Sequence, residues 1–548
     1  MLNRLTHQAL QLACRRSDNA FRGQNQDLQA VQQQKLAKIL AQVAVAKGQV
    51  KSPFSSWEEF AAFQPVTRYG QWQEAINAQR RGESTLTTSP LVRYQPTSGS
   101  SEKLKLIPYT KAFIDELDSA IAPWLASMYR QHRGLNGGTH YWSVSWLPQS
   151  QFAELSGNLN DDSELLGSVK RVLAGQSQAV PADVALAASA DDALFATLCF
   201  LVANQDLRML SVWSPTFALQ LLEAIPVWAE QIIDVLSSGH WRHRTSSLQN
   251  LKAPHAPKRA KELARVLRLH PSVLGAELWP NLALVSAWDT ADAAPWAQQL
   301  KACFPQAEFE GKGLWATEGV VTVPIDGQYP LAYRSHVYEF EDLQNGGILA
   351  PWELKEGDIV SPIITSGNGL LRYQLDDRIA VDGFWGDVPC FKFMGRRFGV
   401  DLVGEKMSPE AARQVLASAA NRFGLEPVTL MAINGENQSR PRYMALFSSG
   451  KEQASYRVCA EASAWVEREL RGHFHYELAR DLRQLEPAMA VIAQDGWRIC
   501  QDVAIAGGMI EGNIKPEPVR RVQRQAVQKM LPELAYNLVT DIMLERAS

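Results

Sequence analysis

Leu207–Ile225 reads LRMLSVWSPTFALQLLEAI, and this stretch limits the folds open to the chain. The run to Trp213 has the length and composition of a buried strand. Ser214 and Pro215 then supply an N-cap residue and a proline at the first helical position, and helical spacing continues to about Leu236. A strand fed directly into a helix is the building unit of an α/β domain. The same grammar recurs on both sides. Thr110 caps a helix predicted from Lys111 to about His132, with Phe113, Leu117, Ile121 and Leu125 on one face. His140–Leu147 alternates Trp142, Val144 and Trp146 with serines, as a half-buried strand does. Asp192–Ala203 reads as a helix, Leu282–Ala287 as a short strand, and Pro295–Cys303 as a helix. Val337–Phe340 and Ile359–Thr365 read as further strands. The texture changes near Arg396–Gly399, after which a helix over Ser408–Phe423 leads into a smaller α+β unit. The expected fold class is therefore α/β and α+β, with domains over 1–396 and 397–548.

Composition narrows the function classes. A chain of 548 residues has ample length for a core and more than one domain. A formal charge of −3 argues against a general polyanion partner such as nucleic acid. No apolar run reaches the ~18 residues that a membrane-spanning helix needs. Leu2, Leu5, Ala9, Leu10 and Ala13 mark an amphipathic helix at the start rather than a targeting peptide. The six cysteines form no Cys-x-x-Cys pair, so a zinc site is not expected and a reducing, cytoplasmic location is.

The stretch with the most chemistry is Arg93–Thr110, RYQPTSGSSEKLKLIPYT. Ser98, Gly99, Ser100 and Ser101 can present hydroxyls and backbone N–H groups to phosphate oxygens, and Lys105 can fold back onto the same anion. Taken alone, it also reads as an ordinary serine-rich turn. The same ambiguity holds for Thr317 and Glu318 in the WATEG turn, Asp377 in LLRYQLDD, Arg396 in FMGRRFG and Lys515 in GNIKPEP. Each, alone, is a solvated turn or loop residue. Their order is what carries information.

That order resembles the adenylate-forming enzymes of the firefly-luciferase superfamily. More closely, the chain resembles the auxin-inducible (Gretchen Hagen) acyl acid–amido synthetase family of plants and its bacterial relatives. PTSGSSEKLKLIP is similar to that family's Ser/Thr/Gly loop ending in Lys-x-x-Pro. LWPNLALVSAW, WATEG, LLRYQLDD, FKFMGRRFGVDLVGEKM, HYELARDLRQL and GNIKPEP resemble successive family segments, so the likeness spans roughly 90–525. The loop is about one residue shorter than the family's, and Asp376-Asp377 stands where the family has Gly-Asp.

The resemblance implies a large N-terminal domain binding ATP and an acyl acid, and a small C-terminal lid. It implies ATP-dependent activation of a small carboxylic acid as its adenylate, followed by transfer to an amine, usually an amino acid in that family. By the same resemblance, Ser98, Gly99, Ser100, Ser101 and Lys105 hold the β- and γ-phosphates. Glu318 holds Mg²⁺, and Thr317 bonds the α-phosphate or the acyl oxygen. Asp377 accepts from the ribose hydroxyls, Trp315 or a neighbour flanks adenine, and Lys515 reaches the α-phosphate and acyl carboxylate. Gly395-Arg396-Arg397 forms the hinge, Arg396 also touching ribose, and Lys406 occupies the lysine position downstream. An acyl-CoA synthetase or a carrier-loading enzyme shares the first half-reaction, and a nucleotide-binding protein without turnover is the alternative outside catalysis.

Overall fold

The computed structural model describes residues 2–46, 48–49, 54–97, 105–144, 146, 168–269, 273–397, 399–400, 402–403, 405, 407–435, 440–450, 456–481, 484–509 and 511–530. They form two compact units, one running through Thr97 and over Lys105–Gly395, the other from Arg396 onward.

The first unit is built on two sheets. A four-stranded parallel sheet has the order Thr139–Trp142, Leu207–Ser211, Leu284–Ala287, Glu308–Gly311. Helices occupy the connections, as parallel pairing requires. A six-stranded sheet runs Ile348–Leu349, Val337–Asp342, Ile359–Thr365, Asp377–Trp385, Val388–Arg396, with Tyr373–Gln374 pairing to Ile359–Thr365. Leu91–Thr97 and Lys105–Thr110 pair antiparallel, and the second strand delivers the chain into the helix Lys111–Gln131. Thr110 caps that helix as its sequence predicts, its hydroxyl accepting from the Phe113 N–H at 3.2 Å.

Two helices at the start, Leu2–Gly23 and Leu28–Ala46, are held by residues far along the chain. The Gln32 amide donates to the carbonyls of Tyr333 and His336, and the Tyr333 hydroxyl bonds the Phe21 carbonyl. Arg372 has φ +47, a left-handed backbone that only a well-held residue sustains. Its guanidinium makes a two-point pair with Glu339, at 2.8 and 2.9 Å, and donates to the carbonyls of Ala61, at 2.7 Å, and Gln64.

Two local expectations change. The helix expected from Pro215 to about Leu236 is two helices, Pro215–Val227 and Ala229–Ser238. Pro226 has no N–H, and a proline ring crowds the carbonyl four residues earlier, here that of Leu222. Among the described residues, the strand expected over His140–Leu147 is Thr139–Trp142, Ser145 and Leu147 lying outside them. The Gln178 side chain takes both backbone groups of Trp142, each at 3.1 Å. Beyond it, Val144 and Trp146 pack with a different core cluster from Trp142, so the three residues do not share a face.

The second unit is α+β. Its sheet has the order Met489–Ala493, Arg442–Ser448, Glu426–Ile433, Val519–Val522, antiparallel at the centre and parallel at both edges. Helices Pro409–Phe423 and Tyr456–Arg471 pack on it through Val415, Leu416, Val466 and Leu470. Among the described residues, no helix is long and apolar enough to cross a membrane.

Candidate functional site

Trp315–Ala316 and Gly319–Val320 pair antiparallel, so Thr317 and Glu318 form the tip of a two-residue hairpin turn. The turn is fixed from behind. The Val320 N–H points to His336 Nε2 at 3.2 Å, which assigns the ring proton to Nδ1. That nitrogen donates to Glu116 at 2.9 Å, and the same carboxylate accepts from the Gly367 N–H. The Tyr338 hydroxyl bonds the Val320 carbonyl at 2.7 Å, and the Tyr109 hydroxyl bonds the Thr317 carbonyl at 3.0 Å. Gly319 has no spare room. A Cβ there would lie 2.9 Å from the His336 ring and from Ile364 Cδ1.

Glu318 has a different environment from Glu116. It is half-buried, and the Tyr373 hydroxyl donates to it at 3.1 Å. Burial pushes its carboxyl above the usual range and the nearby Asp377 carboxylate adds to the rise, while its own amide, the Lys105 ammonium and the Tyr373 hydroxyl pull the other way. Lys105 also lies 5.8 Å from the centre of the Tyr69 ring, whose hydroxyl accepts from the Leu106 N–H. Asp377 is buried at the start of its strand, next to Asp376, which pairs with Arg68 at 2.6 Å. The structure therefore brings Lys105, Trp315, Thr317, Glu318 and Asp377 into one neighbourhood.

The Trp315 ring joins an interior aromatic wall. Its centre is 5.6 Å from Trp124 and 5.5 Å from Trp213; Trp124 in turn meets Trp142 and Trp213 meets Trp288, each at 5.8 Å. The Lys312 ammonium sits 4.4 Å from the centre of the Trp213 ring.

In the second unit, Arg396 and Lys515 converge on Glu517. Arg396 is 3.6 Å and Arg520 is 3.1 Å from that carboxylate. Burial works against its charge, yet Arg520, Arg396 and Lys515 outweigh it and hold the carboxyl below the usual range. Arg520 also donates to the Lys515 carbonyl. Ser98, Gly99, Ser100, Ser101 and Lys406 lie outside the described residues.

Sequence reasoning missed Tyr373, Tyr109, Glu116, His336 and Glu517. Tyr373 was within reach, since it sits in the LLRYQLDD stretch already singled out. Glu116 and His336 carry no local signal, because their partnership spans 220 positions of sequence.

Among the described residues, no group of three His, Cys, Asp or Glu side chains could hold a metal alone. Glu318 suits a different kind of site. Mg²⁺ commonly takes one or two protein carboxylates and completes its shell with phosphate oxygens and water. A carboxyl raised by burial gains most from an adjacent cation.

Residues 18–309 match the GH3 family N-terminal domain and residues 329–396 the GH3 family central domain. A sequence search of curated proteins finds no match. The fold is similar to that of a GH3.15 acyl acid amido synthetase, at TM-score 0.71 and 16% identity, over 93% of this chain and 94% of that one. It is also similar to AtGH3.15 acyl acid amido synthetase in complex with 2,4-DB, at TM-score 0.72 and 17% identity, over 95% and 96%. A 2-hydroxyisobutyryl-CoA ligase in the postadenylation state with 2-HIB-AMP aligns at TM-score 0.50 and 12% identity, over 94% and 92%. With its N-terminal and central domains both matched, the chain belongs to the GH3 family.

Proposed function

We propose that this protein is an ATP-dependent acyl acid–amido synthetase. Family membership supports the reaction class, and one observation carries the site: Glu318, on a hairpin turn locked from behind, lies within electrostatic reach of both Asp377 and Lys105. In the first half-reaction, a carboxylate oxygen of the acid attacks the α-phosphorus of ATP. The bond to the β-phosphate oxygen breaks and pyrophosphate leaves. In the second, an amine nitrogen attacks the acyl carbon, the bond to AMP breaks, and the amine loses a proton. Positioning and charge stabilisation are the protein's main contributions.

In this reading Lys105, with Ser98, Gly99, Ser100 and Ser101, holds the outer phosphates. Thr317 bonds the α-phosphate or acyl oxygen and Asp377 accepts from ribose. Bound beside Glu318, Mg²⁺ would neutralise charge on the phosphates. Trp315 flanks adenine, and the Trp124, Trp142 and Trp213 rings beside it line the acyl-acid chamber. Arg396 and Lys406 serve the nucleotide, and Lys515 supports charge developing at the α-phosphate. Residues 1–396 form the ATP- and acid-binding domain and 397–548 the lid, a division supported by two separately compact units. The acceptor is an amino acid. The cytoplasm is the expected location, in keeping with six free cysteines.

The purified protein, given ATP, Mg²⁺ and a panel of acids, should release pyrophosphate with some of them. Adding amino acids should then yield amides by mass; a thioester formed only with coenzyme A would identify a ligase of the other kind. Release with no acid in a broad panel would overturn the reading. Lys515→Ala should slow adenylate formation while leaving the thermal melt unchanged.

A further inference from the structure

The first unit has an open cavity that the adenylation site does not use. It measures about 710 Å³, within the range of small-molecule sites. It lies between the start of the helix Leu28–Ala46, Trp352, and the hairpin that joins Asp377–Trp385 to Val388–Arg396. Its walls are tied to one another. The Asp387 N–H donates to the Asn25 carbonyl at 2.9 Å. Gly386, at φ +66, lies so close that a Cβ there would be 2.6 Å from Asn25 Nδ2. Successive side chains of a strand point to opposite faces. Trp385 turns to Phe21 and stacks on it, ring centres 5.3 Å apart, so Phe384 turns the other way. The Phe384 ring is 40% exposed and lines the cavity. Trp352 lines it as well, half-buried, its ring held 4.8 Å from Trp57.

The polar part of the lining is accessible and uncommitted. Gln29 and Gln33 stand one helical turn apart, Gln26 just precedes the helix, and Asp27 and Asp387 flank them; all five are exposed. Among the described residues, none of the five side chains has a hydrogen-bond or ion-pair partner. Two carboxylates with no lining cation disfavour an anion, so the cavity suits neither ATP nor an acyl acid. Arg22, the nearest cation in sequence, is committed to Asp18 and Asp326. A cation is opposed from the other side. Leu28, Gln29 and Ala30 are the first turn of the helix, the end whose N–H groups lack intrahelical partners and carry partial positive charge. A neutral ligand fits if it both donates and accepts, and also offers an apolar face to two rings. Hydroxyl groups donate and accept, as glutamine amides do. A sugar ring joins such hydroxyls to a face of C–H bonds.

We infer that this cavity is a binding site for a neutral mono- or disaccharide, its C–H face against Phe384 and Trp352 and its hydroxyls on the glutamine amides and the two aspartates. The inference is independent of the synthetase reading, since none of these residues belongs to the adenylation site.

The test titrates the full-length protein with glucose, galactose, maltose, cellobiose and sucrose, and with glucuronic acid and spermidine as charged counterparts. Calorimetry and ligand-observed NMR read binding. At least one neutral sugar should bind more tightly than either charged probe. Phe384→Ala should weaken that sugar about tenfold, and Gln29→Ala or Gln33→Ala about fivefold. Asp387→Asn keeps an acceptor at the same place, so most of the sugar affinity should survive it. All four side chains are exposed, so the melts and pyrophosphate release should match wild type. No binding by any neutral sugar, or tighter binding of glucuronic acid, would overturn the inference. So would tighter binding of spermidine that Asp387→Asn abolishes or leaves in place. A sugar held equally well by Phe384→Ala binds elsewhere and refutes it too. Should Phe384→Ala fail to fold, Gln33→Ala decides: unchanged sugar affinity there refutes the site. Loss of pyrophosphate release with every acid would remove the synthetase reading and leave the sugar site standing.

Discussion

Glu116 and Glu318 lie on opposite sides of one hairpin, and the protein treats them differently. Glu116 is buried and fully served, by the His336 ring N–H and by the Gly367 amide. Glu318 is half-buried and receives, among the described residues, its own amide and one tyrosine hydroxyl. The first carboxylate is committed to holding the turn. The second is left short of partners, and its neutral form is favoured by burial. A carboxylate kept under-served at a fixed position is one that a ligand can complete.

The comparison breaks most severely at Glu318. Glu318→Gln should lower adenylate formation about 10²–10³-fold and raise the Mg²⁺ concentration needed for half-maximal rate. An unchanged Mg²⁺ titration would remove Glu318 from the metal's shell. Its effect on stability should have the opposite sign. A carboxyl whose folded pKa is raised stabilises fully below its unfolded pKa and loses that contribution as pH rises through the folded value. The variant should therefore melt higher than wild type at neutral pH and not at acid pH.

Glu116→Ala should be the mirror image. Removing it strands the His336 Nδ1–H and the Gly367 N–H, at a cost of about 2–5 kcal/mol in denaturant unfolding. Activity should fall only as far as the turn loosens. Gly319→Ala tests the same support by crowding. Its added carbon meets the His336 ring and Ile364, so about 1–3 kcal/mol of stability should be lost. The smallest change is Tyr373→Phe. The hydroxyl helps Glu318 stay ionised, so the acid limb of the pH–rate profile should move to higher pH, with a rate loss of about tenfold or less at neutral pH.

Much of this was readable from sequence because it is local. The Thr110 cap, the Ser214-Pro215 helix start and the Ile359–Thr365 strand each follow from adjacent residues. So does the turn at Thr317 and Glu318. The split at Trp228 was also available, in Pro226, but helical spacing on both sides hid it. The shared face assigned to Trp142, Val144 and Trp146 failed because Val144 and Trp146 pack with a different core cluster from Trp142, and no period-2 pattern encodes that. The partners of Glu318 and Lys515 could only be listed in order. That Tyr373 meets the former, and Glu517 collects Arg396 and Lys515, is three-dimensional information.

The long reach of Arg372 bears on how the chain is made. Its contacts to Ala61 and Gln64 close loops of 311 and 308 residues, and the Tyr333 hydroxyl reaches Phe21 across 312. The opening helices emerge from the ribosome long before these partners exist, by roughly tens of seconds at ordinary synthesis rates. Until then the contacts that Phe21, Gln32 and Ala61 make with them have no counterpart. Such high contact order makes for slow folding. The chain thus passes through a period in which its first eighth lacks these partners, and the Thr317–Glu318 hairpin can be fastened only after that period ends.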